Sequence, residues 1–245
     1  MKKYLLFLYT LVGYLLSLVT LSFLILWVYP WEFMPYTIDK SIIVLEYNPL
    51  IIDLLLLVLF GVQHSVMARA FFKNNLLSKL SDTFKSATYC IASALCLVAI
   101  VYFWQPIDGY LWKFEDGVMF WIFTTLYVLG WSFAFISTFL IDHFELFGLH
   151  QGYRVLKNLP EPPLKFQVRY FYKFVRHPIQ LGTLIGLVAT PSMSYGHLLL
   201  SIGMLIYVLI GLYFEEKDLL KTFGQEYLEY KKTTPMLIPF IHSRR

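Results

Sequence analysis

Three short stretches of this chain concentrate the side chains that could bind charge or move a proton. The first is KFVRHPIQLGTLIG, Lys173 to Gly186, where Arg176, His177 and Pro178 run directly into an apolar segment with two glycines four residues apart. Proline is tolerated in the first turn of a helix because its missing N–H would have no acceptor there. A helix that starts at Pro178 aims its free amides and positive dipole end at the surface beside Arg176 and His177, a local site for an anion such as a carboxylate. Gly182 and Gly186 form a G-x-x-x-G step that admits another helix, or a flat ligand, close to the backbone. Downstream, EEKDLLKTFGQEYLEY begins with Glu215 and Glu216, a pair suited to a cation. The same residues also read as ordinary Arg–Glu pairing across a helical hairpin.

The second stretch is FGVQHSVMARAFFK, Phe60 to Lys73. Gln63 and His64 fall at the edge of an apolar run, where polar groups face a partner or a cavity. A functional role for His64 competes with a hydrogen bond between helices. The third is DHFELFGLHQGYR, Asp142 to Arg154, with Asp142, His143, Glu145 and His150 among bulky apolar residues. Its spacing matches no recognised ligand pattern and it has no cysteine, so the expectation is a segment lying along a membrane surface, with no metal.

The elements that must carry these residues follow from composition. Of 245 residues, 58% are hydrophobic and 15% charged, well below the roughly one quarter charged of soluble domains. Apolar segments occur at about 4–29, 47–66, 84–104, 117–141, 179–191 and 197–214, and about 20 residues suffice to cross a bilayer as a helix. The fifth is short, and TPSMSYGH, Thr190 to His197, places Pro and Gly before the sixth. The reading is an all-α integral membrane protein: five to six transmembrane helices, a C-terminal helical hairpin and a cytoplasmic amphipathic tail. It divides into an N-terminal bundle over 1–141, a cytoplasmic connection over 142–178 and a hairpin with tail over 179–245, all one domain. The first apolar run is too long for a signal peptide and no cleavage site follows it.

With the N-terminus inside and six crossings, every Lys and Arg except Lys40 and Lys113 is cytoplasmic, of 20 in total. Trp27, Trp31, Trp104 and Trp112 then sit at the outer edge. The net charge of +4 is therefore an orientation signal and no nucleic-acid partner is expected. Both termini are expected in the cytoplasm, in a bacterial inner membrane. Cys90 and Cys96 share one apolar run and read as buried reduced thiols.

RHPIQLG from Arg176, followed by a hairpin and EEKDLLKTFGQEYLEY from Glu215, resembles the isoprenylcysteine carboxyl methyltransferase superfamily. QHSVMARAFFK, WQPIDGYLW, DHFELFGLHQ and ATPSMSYGHLLLSIG extend the likeness over most of the length to its membrane-bound methanethiol S-methyltransferase and nurim branch. The resemblance implies a methyltransferase using S-adenosylmethionine (SAM), with no metal. Arg176, His177, Pro178 and Gly182 would form one wall of the cofactor site, and Glu215 and Glu216 another. Tyr227, Tyr230 and the Pro235–Phe240 tail would form an adenine slot.

Two departures bear on substrate. Gln180 stands where the prenylcysteine enzymes usually carry Tyr, and Gly203–Phe214 lacks the Arg they place before the Glu pair. A small neutral thiol is thus favoured over a carboxylate-bearing acceptor, with methanethiol giving dimethyl sulfide as the leading expectation. The thiol must ionise, and His64 is the first candidate base, with His143 and His150 behind it. The alternatives are another thiol or prenylcysteine-type lipid acceptor, and a nurim-like protein without catalysis. Transport is disfavoured because no internal repeat is present.

Overall fold

The structure is a computed structural model that describes residues 1–69, 81–163 and 165–239. It is almost entirely helical: α1 (Lys2–Val28), α2 (Pro49–Ala68), α3 (Asp82–Phe103), α4 (Gly117–Ile141), α5 (His143–Leu146), α6 (Leu149–Lys157), α7 (Pro178–Val188), α8 (Tyr195–Phe223) and α9 (Gln225–Thr233). A 3₁₀ turn covers Tyr170–Lys173, and a two-stranded ladder pairs β1 (Tyr110–Lys113) with β2 (Ser192–Ser194), antiparallel. Helices α1, α2, α3, α4 and α8 are long and apolar enough to cross a membrane. This is the all-α integral membrane architecture read from composition. The fifth apolar segment forms only the 11 residues of α7, which rise about 16 Å, roughly half a bilayer core. Thr190 and Pro191 follow its end.

Contacts group the chain into two interleaved units, one of residues 1–113, 143–162 and 192–200, the other of 114–142, 163–191 and 201–245. In the first, α3 packs on α1 and α2, and α6 on α1. Capping defines the helix starts: the Asn48 side chain accepts from Leu50 N ahead of Pro49, and the Ser81 hydroxyl accepts from Phe84 N. Gly152 sits so close to α1 that a Cβ there would lie 2.0 Å from Thr10 Oγ1. At the far end of α2, Gln105 pins the 41–48 segment. Its Nε2 donates to Ile43 O, its Oε1 accepts from Leu45 N, and its backbone N donates to buried Asp53. The Tyr195 amide donates to Gly109 O beside the ladder, so the start of α8 is held next to the connection that leaves α3.

In the second unit, α4 and α7 meet through small residues. A Cβ on Gly182 would come within 2.5 Å of Ala134 N and 2.6 Å of Gly130 O, and one on Gly186 would strike the Trp131 ring. Of the two partners admitted by the G-x-x-x-G step, a helix occupies this flank. Val208 and Leu212 of α8 pack with Leu237, Leu181 and Leu184. Large apolar residues such as Leu55, Trp121 and Ile206 remain exposed along the long helices, as a hydrocarbon solvent requires.

Candidate functional site

In the second unit the chain folds Arg176 and Glu216 onto one another. Arg176 Nε donates to Glu216 Oε1 at 2.6 Å, with Nη2 at 2.5 Å from the same oxygen, and both side chains are 7% exposed. Arg176 Nη1 donates to the carbonyls of Lys231 (3.2 Å) and Thr234. His177 Nε2 lies 3.3 Å from Glu216 Oε1, and Lys231 Nζ 2.8 Å from Oε2. Backbone bonds complete the clasp: Arg176 N to Pro235 O and His177 N to Met236 O. The residues ahead of α7 are thereby stitched to the chain after α9. Both Glu216 oxygens and all three Arg176 nitrogens are engaged within the protein.

Glu215 is placed differently. Its side chain is 48% exposed, and its Oε1 stands 4.0 Å from His177 Nδ1. It is the exposed carboxylate of the pair. Pro178 opens α7 at its first position, so the first-turn amides of Ile179 and Gln180 lack intrahelical acceptors.

Beside the clasp lies an aromatic group. Phe166 packs against Phe223, Tyr227 and Tyr230, with ring centroids 5.4, 6.0 and 5.5 Å away. Tyr230 Oη donates to Tyr172 O at 2.5 Å, and Tyr172 Oη to Ser137 O at 3.3 Å. Tyr227 is 1% exposed, yet its hydroxyl has no hydrogen-bond partner among the described residues. A buried hydroxyl left this way is costly. Burial raises Tyr172, Tyr227 and Tyr230 well above the usual phenol range; the Glu215 charge adds to this for Tyr172 and the Glu216 charge for Tyr227. The chemistry of these groups suits a zwitterion with an aromatic base, such as SAM: an exposed carboxylate, helix amides, aromatic rings and a hydroxyl without a partner among the described residues. Phe240 of the expected slot lies outside the described residues.

His64 belongs to the first unit, on α2 against α3. Its Nδ1 is 2.9 Å from Ser93 Oγ and its Nε2 2.5 Å from Tyr89 Oη, while Phe60 stacks on the ring at 5.2 Å. Gln63 Nε2 donates to Ser93 Oγ at 3.4 Å, and its buried Oε1 has no partner among the described residues. The part of this motif from Ala70 to Lys73 lies outside the described residues. His143 is 3% exposed, with Nε2 3.1 Å from Tyr14 Oη and its ring among Phe144 and Phe147. His150 lies against Phe144 at 5.4 Å. Glu145 is held in a two-pronged pair by Arg154 at 2.6 and 2.8 Å.

Sequence reading passed over Phe166, Lys231, Tyr89 and Ser93. Tyr89 and Ser93 carried a usable signal, since they are four apart in one apolar run and share a helix face. Phe166 follows a proline-rich stretch with no periodicity, and nothing local points to it.

A family profile described as NnrU protein matches residues 53–239. Methanethiol S-methyltransferase 1 of Bradyrhizobium diazoefficiens is 40% identical, over 98% of this chain and 84% of its own length. Methanethiol S-methyltransferase of Mycobacterium tuberculosis is 36% identical over 99% of each chain. A nurim homolog of Drosophila melanogaster is 30% identical over 74% of each. These relatives bear out the resemblance drawn from the motifs. No solved structure matches the chain.

Proposed function

The chain belongs to the NnrU protein family, and on that premise we propose that it is a membrane-bound, SAM-dependent thiol S-methyltransferase that converts methanethiol to dimethyl sulfide. The observation that carries this reading is its 40% identity, over 98% of the chain, to a methanethiol S-methyltransferase.

The arrangement of side chains supports a division of labour. Glu215 receives the ammonium of SAM, the amides at the start of α7 with His177 receive its carboxylate, and Phe166, Tyr227 and Tyr230 receive the adenine. Arg176 and Glu216 build the wall by holding each other, and Gly182 brings α4 against α7. When bound, SAM supplies an electrophilic methyl carbon. His64 is the first candidate base for a thiol proton, with His143 and His150 behind it, and direct in-line transfer to the thiolate would need no metal. Neutralisation of opposite charges is assisted in a site that excludes water, and alignment supplies much of the rest. A small apolar thiol can arrive through the lipid. We place this chemistry at the cytoplasmic face of a bacterial inner membrane, with both termini cytoplasmic.

Headspace dimethyl sulfide from purified, detergent-solubilised protein given SAM and methanethiol tests the proposal. Sulfide that requires both substrates is expected. Longer thiols and prenylcysteine analogues as better substrates would reassign the acceptor. A nurim-like structural role is the second reading, favoured by the clasp, whose charges satisfy one another without a ligand. Folded protein that binds no SAM would establish it.

A further inference from the structure

The 3₁₀ turn at Tyr170–Lys173 has an anchored side and an open side. Phe171 stacks on Phe133 of α4 at 4.5 Å. Tyr172 Oη donates to Ser137 O, and the Tyr172 carbonyl accepts from Tyr230 Oη. These contacts fix the turn to α4 and α9. The other side chains are turned outward: Tyr170 is 66% and Phe174 65% exposed, and Arg169 and Lys173 are exposed beside them. Val168, Arg169, Tyr170 and Lys173 line a cleft of about 380 Å³. Neither cation has an ion pair or a side-chain hydrogen bond among the described residues. Tyr170 holds φ at +46°, a costly conformation for a bulky residue. Yet its ring meets no other ring, and its hydroxyl no hydrogen-bond partner, among the described residues.

Depth selects the ligand. Ser137 is one turn from the end of α4, a helix of 25 residues flanked by Asp116 and Asp142. Such a helix is about 37 Å long, against a hydrocarbon core of roughly 30 Å, so its last turn reaches the headgroups. A turn packed on Ser137 stands at the boundary between acyl chains and headgroups. Exposed aromatic rings belong at that level, and Lys and Arg reach outward from it. We propose that Arg169 and Lys173 hold the phosphate of an anionic phospholipid, with Val168, Tyr170 and Phe174 against its glycerol and acyl chain. The Arg169 guanidinium can present two parallel N–H groups to phosphate oxygens. The Lys173 ammonium adds a second positive charge, which the cation of a zwitterionic headgroup would oppose. This surface is independent of whether the chain methylates a thiol.

Thermal unfolding of the full-length protein in non-ionic detergent, with lipid titrated in, tests this, because a ligand of the folded state raises the midpoint. Dioleoylphosphatidylglycerol should raise it, and dioleoylphosphatidylcholine should leave it nearly unchanged. Equal responses to the two lipids, or no response to either, would overturn the assignment. Each cation beside an anionic surface contributes roughly fivefold in affinity, so Arg169→Gln/Lys173→Gln should weaken phosphatidylglycerol by about 30-fold. Lys217→Gln/Lys221→Gln removes two other exposed cations, on α8, and should keep the response. Equal loss in the two double variants would reduce the effect to net charge and overturn the site. Glycerol phosphate, the same anion without acyl chains, should not move the midpoint. If it matches phosphatidylglycerol, the cleft takes a soluble phosphate and the lipid assignment falls. Should Arg169→Gln/Lys173→Gln not fold, native mass spectrometry of the two single variants counts the phosphatidylglycerol retained. Each should retain less than wild type, and equal retention would overturn the assignment.

Discussion

Arg176 and Glu216, forty residues apart, form a two-nitrogen contact to one carboxylate oxygen with both side chains 7% exposed. The pair closes a ring of interactions through Lys231, Thr234, Pro235 and Met236 that binds the start of α7 to the chain beyond α9. Removing Glu216 leaves the buried Arg176 charge without a carboxylate, a loss of about 3–5 kcal/mol, whereas removing Arg176 leaves Glu216 with Lys231 and His177 and should cost less. Arg176→Ala and Glu216→Ala are therefore both expected to lower the thermal midpoint in detergent, Glu216→Ala by more. The Arg176→Met/Glu216→Leu double variant should lose less than the sum of the singles. Additive losses would show that the pair is not energetically coupled.

Glu215 and Tyr227 separate binding from stability. Glu215 is half exposed, so Glu215→Gln should leave the midpoint nearly unchanged and weaken SAM by about tenfold, the loss of one charged hydrogen bond. Tyr227→Phe removes a buried hydroxyl that has no partner among the described residues. It should keep or raise the midpoint of the free protein while weakening SAM. Calorimetric titration with thermal unfolding measures both. A Tyr227→Phe protein that is less stable and binds normally would dismiss the hydroxyl as a ligand contact.

The α4–α7 seam tolerates no added methyl. At Gly182 a Cβ would press on the backbone of Ala134 and Gly130, which cannot rotate away. Gly182→Ala should destabilise by about 1–3 kcal/mol, as overpacking does. Gly211 of α8 has nothing within 4 Å of its ideal Cβ, and Gly211→Ala should be neutral or stabilising by up to about 1 kcal/mol. Thermal unfolding of the two variants side by side is the check.

Alkaline pH probes the tyrosine group. Tyr172, Tyr227 and Tyr230 hold their protons in the folded chain to higher pH than in the unfolded one. Above the usual phenol value of about 10, unfolding releases protons that the fold retains, so stability falls as pH rises through that range. The unfolding midpoint should drop between pH 9 and pH 11, with a shallower drop in the Tyr172→Phe/Tyr230→Phe variant. Equal slopes would remove these residues as the cause.

Much was legible along the chain because it depends on neighbours in sequence. Apolar run length set α1, α2, α3, α4 and α8. Pro178 set where α7 begins, and the glycine pair at 182 and 186 marked a close approach. The sequence likewise flagged Arg176, Glu215, Glu216 and His64 as polar groups in an apolar background. It did not decide which of two adjacent glutamates is buried against Arg176, because a helix turns about 100° per residue and only packing chooses the inward face. Nor did it place Tyr89 and Ser93 on either side of the His64 ring. That depends on the rotation and register of α2 against α3, set by many weak contacts rather than by spacing. Phe166 reaches its aromatic neighbours through a proline-rich segment without regular geometry. Sequence determined which residues could do chemistry; tertiary packing decided which of them are satisfied within the protein and which are left to meet a ligand.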